Sequence, residues 1–362
     1  MSSPTPGSQR GPAGQVVLAQ ARRADSTLEA TRPWLVHEGH AAPVASIGDH
    51  LAWSHAGSID DLLGQWYAVA ADLRELTEDP RTRKEIDRRG LDVAELDVDS
   101  PVRPRQAFCT IGNYAGQVVE AAVDAGDGPC GRDAERRRQE ARDSVDRRRR
   151  AGEPYICLTS PHRVGGPHDA LRLPADVDTL DWEVEVAVVI GAGAPAAAGG
   201  DGVLAGYCLA NDLTIRSEVL RHDVPVLASD WIRSKGMRGS LPLGPWFVPA
   251  WQVPDVSALR LQLHLNDELM QDERAADMIF DVDRQLDYLA RHAVLGAGDV
   301  LCTGSPAGFG AHYRRLLRPG DRIRAGVAEL GEQLTTFVGP PAELDEPAPQ
   351  EPMGQLSGRS SR

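Results

Sequence analysis

Apolar residues along this chain follow two different periods, and the change between them divides it. From Ser58 the run SIDDLLGQWYAVAADLREL spaces apolar side chains three and four apart, the pattern of one helical face, with Asp60 and Asp61 in the first turn behind a Ser58 cap. A second helical pattern, TRKEIDRRGLDVAEL, is expected to end at Gly90. Both fall in a smaller N-terminal region over residues 15–104. From residue 105 the pattern shortens to apolar runs broken by Gly and Pro, such as ALRLQLHLN and GDVLCTGSP, and reads as strands. Residues 1–14 and 340–362 are rich in Pro, Gly and Ser and poor in large apolar groups, which predicts disordered ends. There is no internal repeat.

The pattern is most informative in LDWEVEVAVVIG, residues 180–191. On a strand, residues two apart share a face, so Glu183 and Glu185 point together while Val184, Val186 and Val188 point the other way. Charged side chains are seldom buried in so apolar a segment unless they are paired or hold a cation. A second strand-like run, AGYCLAND, ends at Asn211 and Asp212, where a strand gives way to a loop. Three carboxylates with no Cys or His beside them suit Mg²⁺, Mn²⁺ or Ca²⁺ better than Zn²⁺. On spacing alone, a solvated strand face with ion-paired glutamates fits as well.

Composition narrows the class. At 362 residues and 39.0 kDa the chain can bury a sizeable core in one large domain or two smaller ones, and 41% hydrophobic with 25% charged residues is the balance of a soluble globular protein. A formal net charge of -14 argues against a general nucleic-acid binder. No apolar run approaches the roughly 18 residues of a membrane span, and VVLA near the start is too short for a secretory core. Five cysteines, odd in number and without a C-x-x-C pair, are expected to be reduced thiols of a cytoplasmic protein. Nine arginines crowd residues 131–150, but Asp133, Glu135, Glu140, Asp143 and Asp146 are interleaved. That mixture predicts an exposed helix with local ion pairs.

The blocks LDWEVEVAVVIG, GYCLANDLTIRS, SKGMRGSLPLGPW and DMIFDVDRQLDYLARHAVLGAGDVLCTGSPAGFG resemble, in order and spacing, the fumarylacetoacetate hydrolase superfamily over about residues 105 to 335. The resemblance implies an α+β fold, with a β-rich, distorted sheet-roll core and peripheral helices over residues 105–339, forming a homodimer. It implies a catalytic Mg²⁺ or Mn²⁺ on Glu183, Glu185 and Asp212. It assigns Lys235 to the family's active-site lysine, which contacts a substrate oxygen and stabilises enolate charge. Composition supports that assignment independently: of 39 Lys plus Arg only Lys84 and Lys235 are lysine, so a lysine kept against the bias marks a site where a compact ammonium fits. Thr303 and Gly304 in CTGSPAGFG are candidates to bind a substrate carboxylate. Arg216 either clamps such a carboxylate or pairs with a structural acid. Asp230 is a weaker candidate.

Three departures bear on the chemistry. The block TIGNYAGQVVEAA resembles the family's lid motif N-Y-x-x-H-x-x-E, in which His and Glu together deprotonate water. Here Tyr114 and Glu120 match, and Gln117 stands at the His position, in a lid over about residues 114–152. The spacing still puts residues 117 and 120 on one helical face, but an amide does not take up a proton near neutral pH. Tyr114 either donates to substrate or closes the lid by packing. Thr159 stands where the family commonly has Lys, and Val219 where members acting on fumarylacetoacetate have Gln. His162 and His168 lie in the altered loop, as alternative bases or as surface and loop-capping residues. The expected function is a metal-dependent hydrolase of a C–C bond in a small-molecule 2-oxo or β-diketo acid, acylpyruvate-like, through a stabilised enolate. A decarboxylase, tautomerase or hydro-lyase is the alternative that Gln117 favours, and a non-catalytic binding relative is the third reading. Neither nucleic acid nor membrane is an expected partner.

Overall fold

A computed structural model describes residues 10–26, 28–126, 132–193, 203–224, 226 and 229–340. The predicted disorder at the ends falls mostly on residues 1–9 and 341–362, outside the described residues. Residues 10–14, assigned to the disordered start, instead form a turn against the fold, with Gln15 N donating to Pro12 O and Gly14 N to Glu38 Oε1.

The N-terminal region is more than helices. It builds a five-stranded sheet in the order Leu91–Asp92, His40–Pro43, Arg32–His37, Val17–Arg23, Leu96–Asp99. The helical run from Ser58 breaks in two, Ile59–Leu63 and Trp66–Glu78, at Gly64 and Gln65. Ser58 and Asp61 cap the first piece reciprocally. The second predicted helix runs Pro80–Arg89 and ends at Gly90, whose N–H closes on Ile86 O. A backbone bridge between Leu18 and Phe247 ties this region to the rest of the chain.

The region from residue 105 onward is α+β. A six-stranded mixed sheet runs Val248–Pro249, Val203–Asn211, Val184–Gly191, Val300–Cys302, Ala107–Thr110, Ile156–Thr159, and a five-stranded sheet runs Glu268–Arg274, Arg260–Leu265, Arg322–Val327, Gly331–Val338, Ala170–Arg172. The strand Val184–Gly191 is buried along its whole length because both its faces are covered, which is why VAVVIG is continuously apolar. Val184, Val186, Val188 and Ile190 enter one apolar cluster and Ala187 and Val189 the other, so the faces divide as the period of two predicts. On the second face, Cys208, Ala187, Cys302, Cys109 and Cys157 lie side by side across five strands. These four cysteines are free thiols. Cys130 lies outside the described residues.

Two helices, Ala115–Asp124 and Arg132–Ala151, occupy the segment expected to form a lid. Val145 of the second packs with Ala115, Val118, Ile279 and Phe280, and the guanidiniums of Arg148 and Arg284 lie 5.4 and 4.7 Å from the Phe280 ring centre. Most of the remaining arginines are solvated, with helical ion pairs such as Arg136 with Glu140. Asn113 anchors the lid's base: its amide donates to Phe280 O and Thr303 O, and its carbonyl accepts from Phe280 N. Among the described residues, no helix is long and apolar enough to cross a membrane.

Candidate metal and substrate site

The strand period and one cross-strand pairing create the carboxylate cluster. Val184 pairs with Asn211, so the residues flanking that pair, Glu183, Glu185 and Asp212, converge at one end of the sheet. Asp212 N donates to Glu183 O at 2.8 Å and Asn211 Oδ1 accepts from Glu183 N at 2.9 Å, which locks the two strand ends together. The three side chains are buried, and each offers a carboxylate oxygen within 4.8 Å of the other two. This triad can hold a divalent metal.

Three cations surround it. Lys235 Nζ donates to Glu183 Oε2 at 3.1 Å, Asp212 Oδ2 at 2.6 Å and Thr214 Oγ1 at 2.7 Å, so all three of its N–H donors are committed. Arg216 bridges two acids, with Nε 2.8 Å from Asp181 Oδ2 and Nη1 2.7 Å from Glu183 Oε1. It therefore does pair with structural acids, yet its Nη2 is buried without a partner and remains available. Fully buried Arg163 is the third. Its Nη2 donates to Leu213 O and Ser240 O and is ion-paired with Asp212 Oδ1 at 2.5 Å.

Glu185 has no cation of its own. Its Oε2 accepts only the Gly304 N–H, at 2.7 Å, and burial with the charges of Asp212 and Glu183 pushes its carboxyl well above the usual range. Four buried carboxylates, Asp181 included, thus face three cations. The excess of negative charge favours a bound cation, and each carboxylate oxygen has a second lone pair beyond the one its ion pair or hydrogen bond uses.

The loop after Thr303 wraps the cluster with backbone N–H groups. Gly304 N holds Glu185, Gly308 N donates to both oxygens of Glu120 at 3.1 Å, and Gly310 N and Ala311 N donate to Asp181. At Gly304 (φ +101) an added Cβ would lie 2.7 Å from Asn113 Cβ, and this close approach explains the glycine. Thr303 Oγ1 donates to Val186 O. The donors of Thr303 and Gly304 therefore serve the protein in this structure. Outside Glu120, His312 Nδ1 lies 2.9 Å from Asp124 Oδ2, and its Nε2 3.8 Å from Glu120 Oε2.

The remaining candidates divide. Tyr114 hydroxyl and Gln117 Oε1 are buried without partners, and burial raises the Tyr114 phenol well above its ordinary range. Asp230 caps the short helix Trp231–Lys235 and pairs with Arg221, a structural role. His162 is exposed, while His168 is pushed down to about 4 by burial. Four residues of this region were not anticipated: Arg163 and Asp181, which pair with the cluster, Gln271, which bonds Val184 N, and Glu273, which lies against Gly116. A signal existed for Asp181, which shares the parity of Glu183 and Glu185; the others depend on long-range packing.

The chain matches the family model for the fumarylacetoacetate (FAA) hydrolase C-terminal domain over residues 106–338. A Burkholderia lata protein, provisionally named a hydrolase, is 34% identical over 187 residues, covering 50% of this chain and 64% of that protein. The chain thus matches less than two thirds of the length of such curated relatives. The structure of a 2-hydroxyhepta-2,4-diene-1,7-dioate isomerase, so named provisionally, from Mycobacterium abscessus superimposes with a TM-score of 0.62 at 23% identity, covering 90% of this chain and 99% of that one. Maleylpyruvate hydrolase from Sphingobium sp. SYK-6, solved with manganese(II) and pyruvate, gives 0.60 at 20% identity, covering 89% and 99%. At these identities the likeness is one of fold.

Proposed function

Because the chain belongs to the fumarylacetoacetate hydrolase family, we propose that it is a Mg²⁺- or Mn²⁺-dependent enzyme that hydrolyses a C–C bond in a 2-oxo or β-diketo acid of the acylpyruvate kind. The observation that carries this reading is the geometry and charge of the cluster: buried Glu183, Glu185 and Asp212 each offer a carboxylate oxygen within 4.8 Å of the other two, and together with Asp181 they outnumber Lys235, Arg163 and Arg216, beside a guanidinium with a free donor. A divalent ion on these three carboxylates would supply Lewis-acid polarisation of the substrate's oxygens.

The chain's own residues supply orientation and proton handling. Arg216 Nη2, held by the bonds of Nε and Nη1 to Asp181 and Glu183, is aimed for a substrate carboxylate. Lys235 fixes Glu183 and Asp212, and reaches a substrate oxygen by exchanging one of its three bonds. Tyr114 donates its unpartnered hydroxyl to substrate, and the lid helix excludes water. Glu120 is raised by burial, which suits it to proton transfer nearer neutral pH.

One observation favours a non-hydrolytic reaction. Gln117 presents a buried carbonyl with no partner where an imidazole would be needed to deprotonate water, so decarboxylation or enol–keto isomerisation is the second reading. Incubating Mg²⁺-loaded protein with acetylpyruvate in ¹⁸O-labelled water separates them. Hydrolysis places label in the released acetate. Turnover of oxaloacetate with acetylpyruvate left intact overturns it in favour of decarboxylation, and Gln117→His is then expected to raise acetylpyruvate cleavage.

A homodimer is proposed as the assembly. Exposed Leu158 and Tyr155, at the edge strand Ile156–Thr159, adjoin exposed Ile232 on the helix Trp231–Lys235, with Trp231 Nε1 donating to Tyr155 hydroxyl. An apolar patch at a sheet edge is what a second copy covers. Sedimentation velocity at micromolar concentration is expected to give twice the chain mass; a single 39.0 kDa species rejects it.

A further inference from the structure

We propose that Glu273 is the catalytic group that removes and returns the substrate's carbon-bound proton beneath the helix Ala115–Asp124, a task separate from the water activation that Gln117 cannot perform. This rests on the enolate chemistry proposed above and assigns its base.

The position follows from strand geometry. Glu273 and Gln271 share one face of the strand Glu268–Arg274. Gln271 Oε1 accepts from the N–H of Val184, the residue between the two triad glutamates, and its amide donates to Ser305 Oγ and Pro306 O in the wrapping loop. Glu273 is one strand step, about 7 Å, further toward the lid. There its carboxylate lies against the first turn of the lid helix: a Cβ on Gly116 would come 2.3 Å from Glu273 Oε1. Gly116 therefore makes room for this carboxylate under the lid.

Its hydrogen bonding sets Glu273 apart from the other acids. Among the described residues, Glu273 Oε2 is the carboxylate oxygen buried with neither a hydrogen bond nor an ion pair. Glu120, by contrast, has both oxygens on Gly308 N–H and holds the lid to the loop. The groups acting on Glu273 are Asp277 from the following turn, Glu120 from the lid helix and the Ala307 N–H from the loop. Burial, reinforced by the two acids, raises its carboxyl to about 7. A group titrating there is close to the optimum for acid–base work at neutral pH. Tyr114, whose unpartnered hydroxyl responds to the charges of both Glu185 and Glu273, lies within electrostatic reach of the triad and this base.

The step balances without any co-reactant. Glu273 Oε2 takes the proton from the carbon beside the 2-oxo group, the C–H electron pair becomes the enolate double bond, and charge moves onto the oxo oxygen. Reversal returns the proton from the neutral carboxyl.

Exchange of the C3 hydrogens of 2-oxobutyrate for deuterium, followed by ¹H NMR with the full chain and Mg²⁺, isolates this step. Wild-type exchange is expected to rise with pH through about 7, because Glu273 must be a carboxylate to accept the proton. Glu273→Gln is expected to slow exchange on the order of a hundredfold or more and to lose the pH-dependent limb. Glu273→Asp should recover part of the rate. Oxalate affinity, read by calorimetry in both variants, should stay within about twofold of wild type, which certifies fold and metal site. Wild-type exchange preserved in Glu273→Gln, with the same pH profile, overturns the inference alone. No Mg²⁺-dependent exchange in the wild type overturns the enolate reading and this assignment with it.

Discussion

Glu185→Gln is expected to cut metal-dependent turnover by about a thousandfold or more, while leaving the metal-free protein as stable as wild type or slightly more so. The two effects have one cause. Glu185 is buried beside Asp212 and Glu183 and is met only by the Gly304 N–H, which an amide carbonyl also accepts. In the metal-free fold the charge is a burden, and the raised carboxyl means that the folded chain holds a proton the unfolded chain has already lost. Stability of the metal-free protein is therefore expected to fall as pH rises above the ordinary carboxylate range. A bound cation reverses that, since it needs the anionic form. Thermal unfolding with and without Mg²⁺ or Mn²⁺ reads both predictions. Wild type should gain stability on adding metal and Glu185→Gln should gain little. A variant that still gains as much stability and turns over normally places the metal elsewhere.

How much of this was legible in the sequence depends on how local each signal is. Glu183, Glu185 and Asp212 were legible because a strand's period of two and a strand-to-loop transition are visible within a dozen residues. The same rule carried back one step reaches Asp181, which holds Arg216 and two loop N–H groups. The helix over 59–78 was legible except at its break, where Gly64 and Gln65 interrupt a continuous apolar spacing. The N-terminal sheet was not. Val17–Ala21 is buried at every position, so it shows no alternation, and His40–Pro43 is only four residues long.

Residues whose roles arise from distant partners were hidden for a related reason. Arg163 carries no local mark, yet its guanidinium is fixed by Leu213 and Ser240 against Asp212. Gln271 meets Val184 across 87 residues of chain. Lysine scarcity identified Lys235 but could not show that all its donors are taken. Arg216 was read as either a clamp or an ion-pair partner; the structure shows the pairing, through Nε and Nη1, and leaves Nη2 without a partner.

Lys235→Met is expected to abolish turnover, by about a thousandfold or more, and yet to tighten metal binding by about tenfold or more. The ammonium lies 2.6 Å from Asp212 and 3.1 Å from Glu183, where it neutralises the carboxylates that a cation must use. Deleting it leaves buried charge uncompensated, a loss of about 3–5 kcal/mol in the metal-free protein. A divalent ion can then recover that loss, so the stabilisation on adding metal should exceed that of wild type. Arg163 and Arg216 still hold the outer sides of Asp212 and Glu183, so the ligands keep their places. Activity does not return with the metal, because the donor that meets negative charge on the substrate oxygen is gone. If Lys235→Met instead binds Mg²⁺ more weakly than wild type, its main role is to position the ligands; if it keeps normal turnover, it has no part in stabilising the enolate.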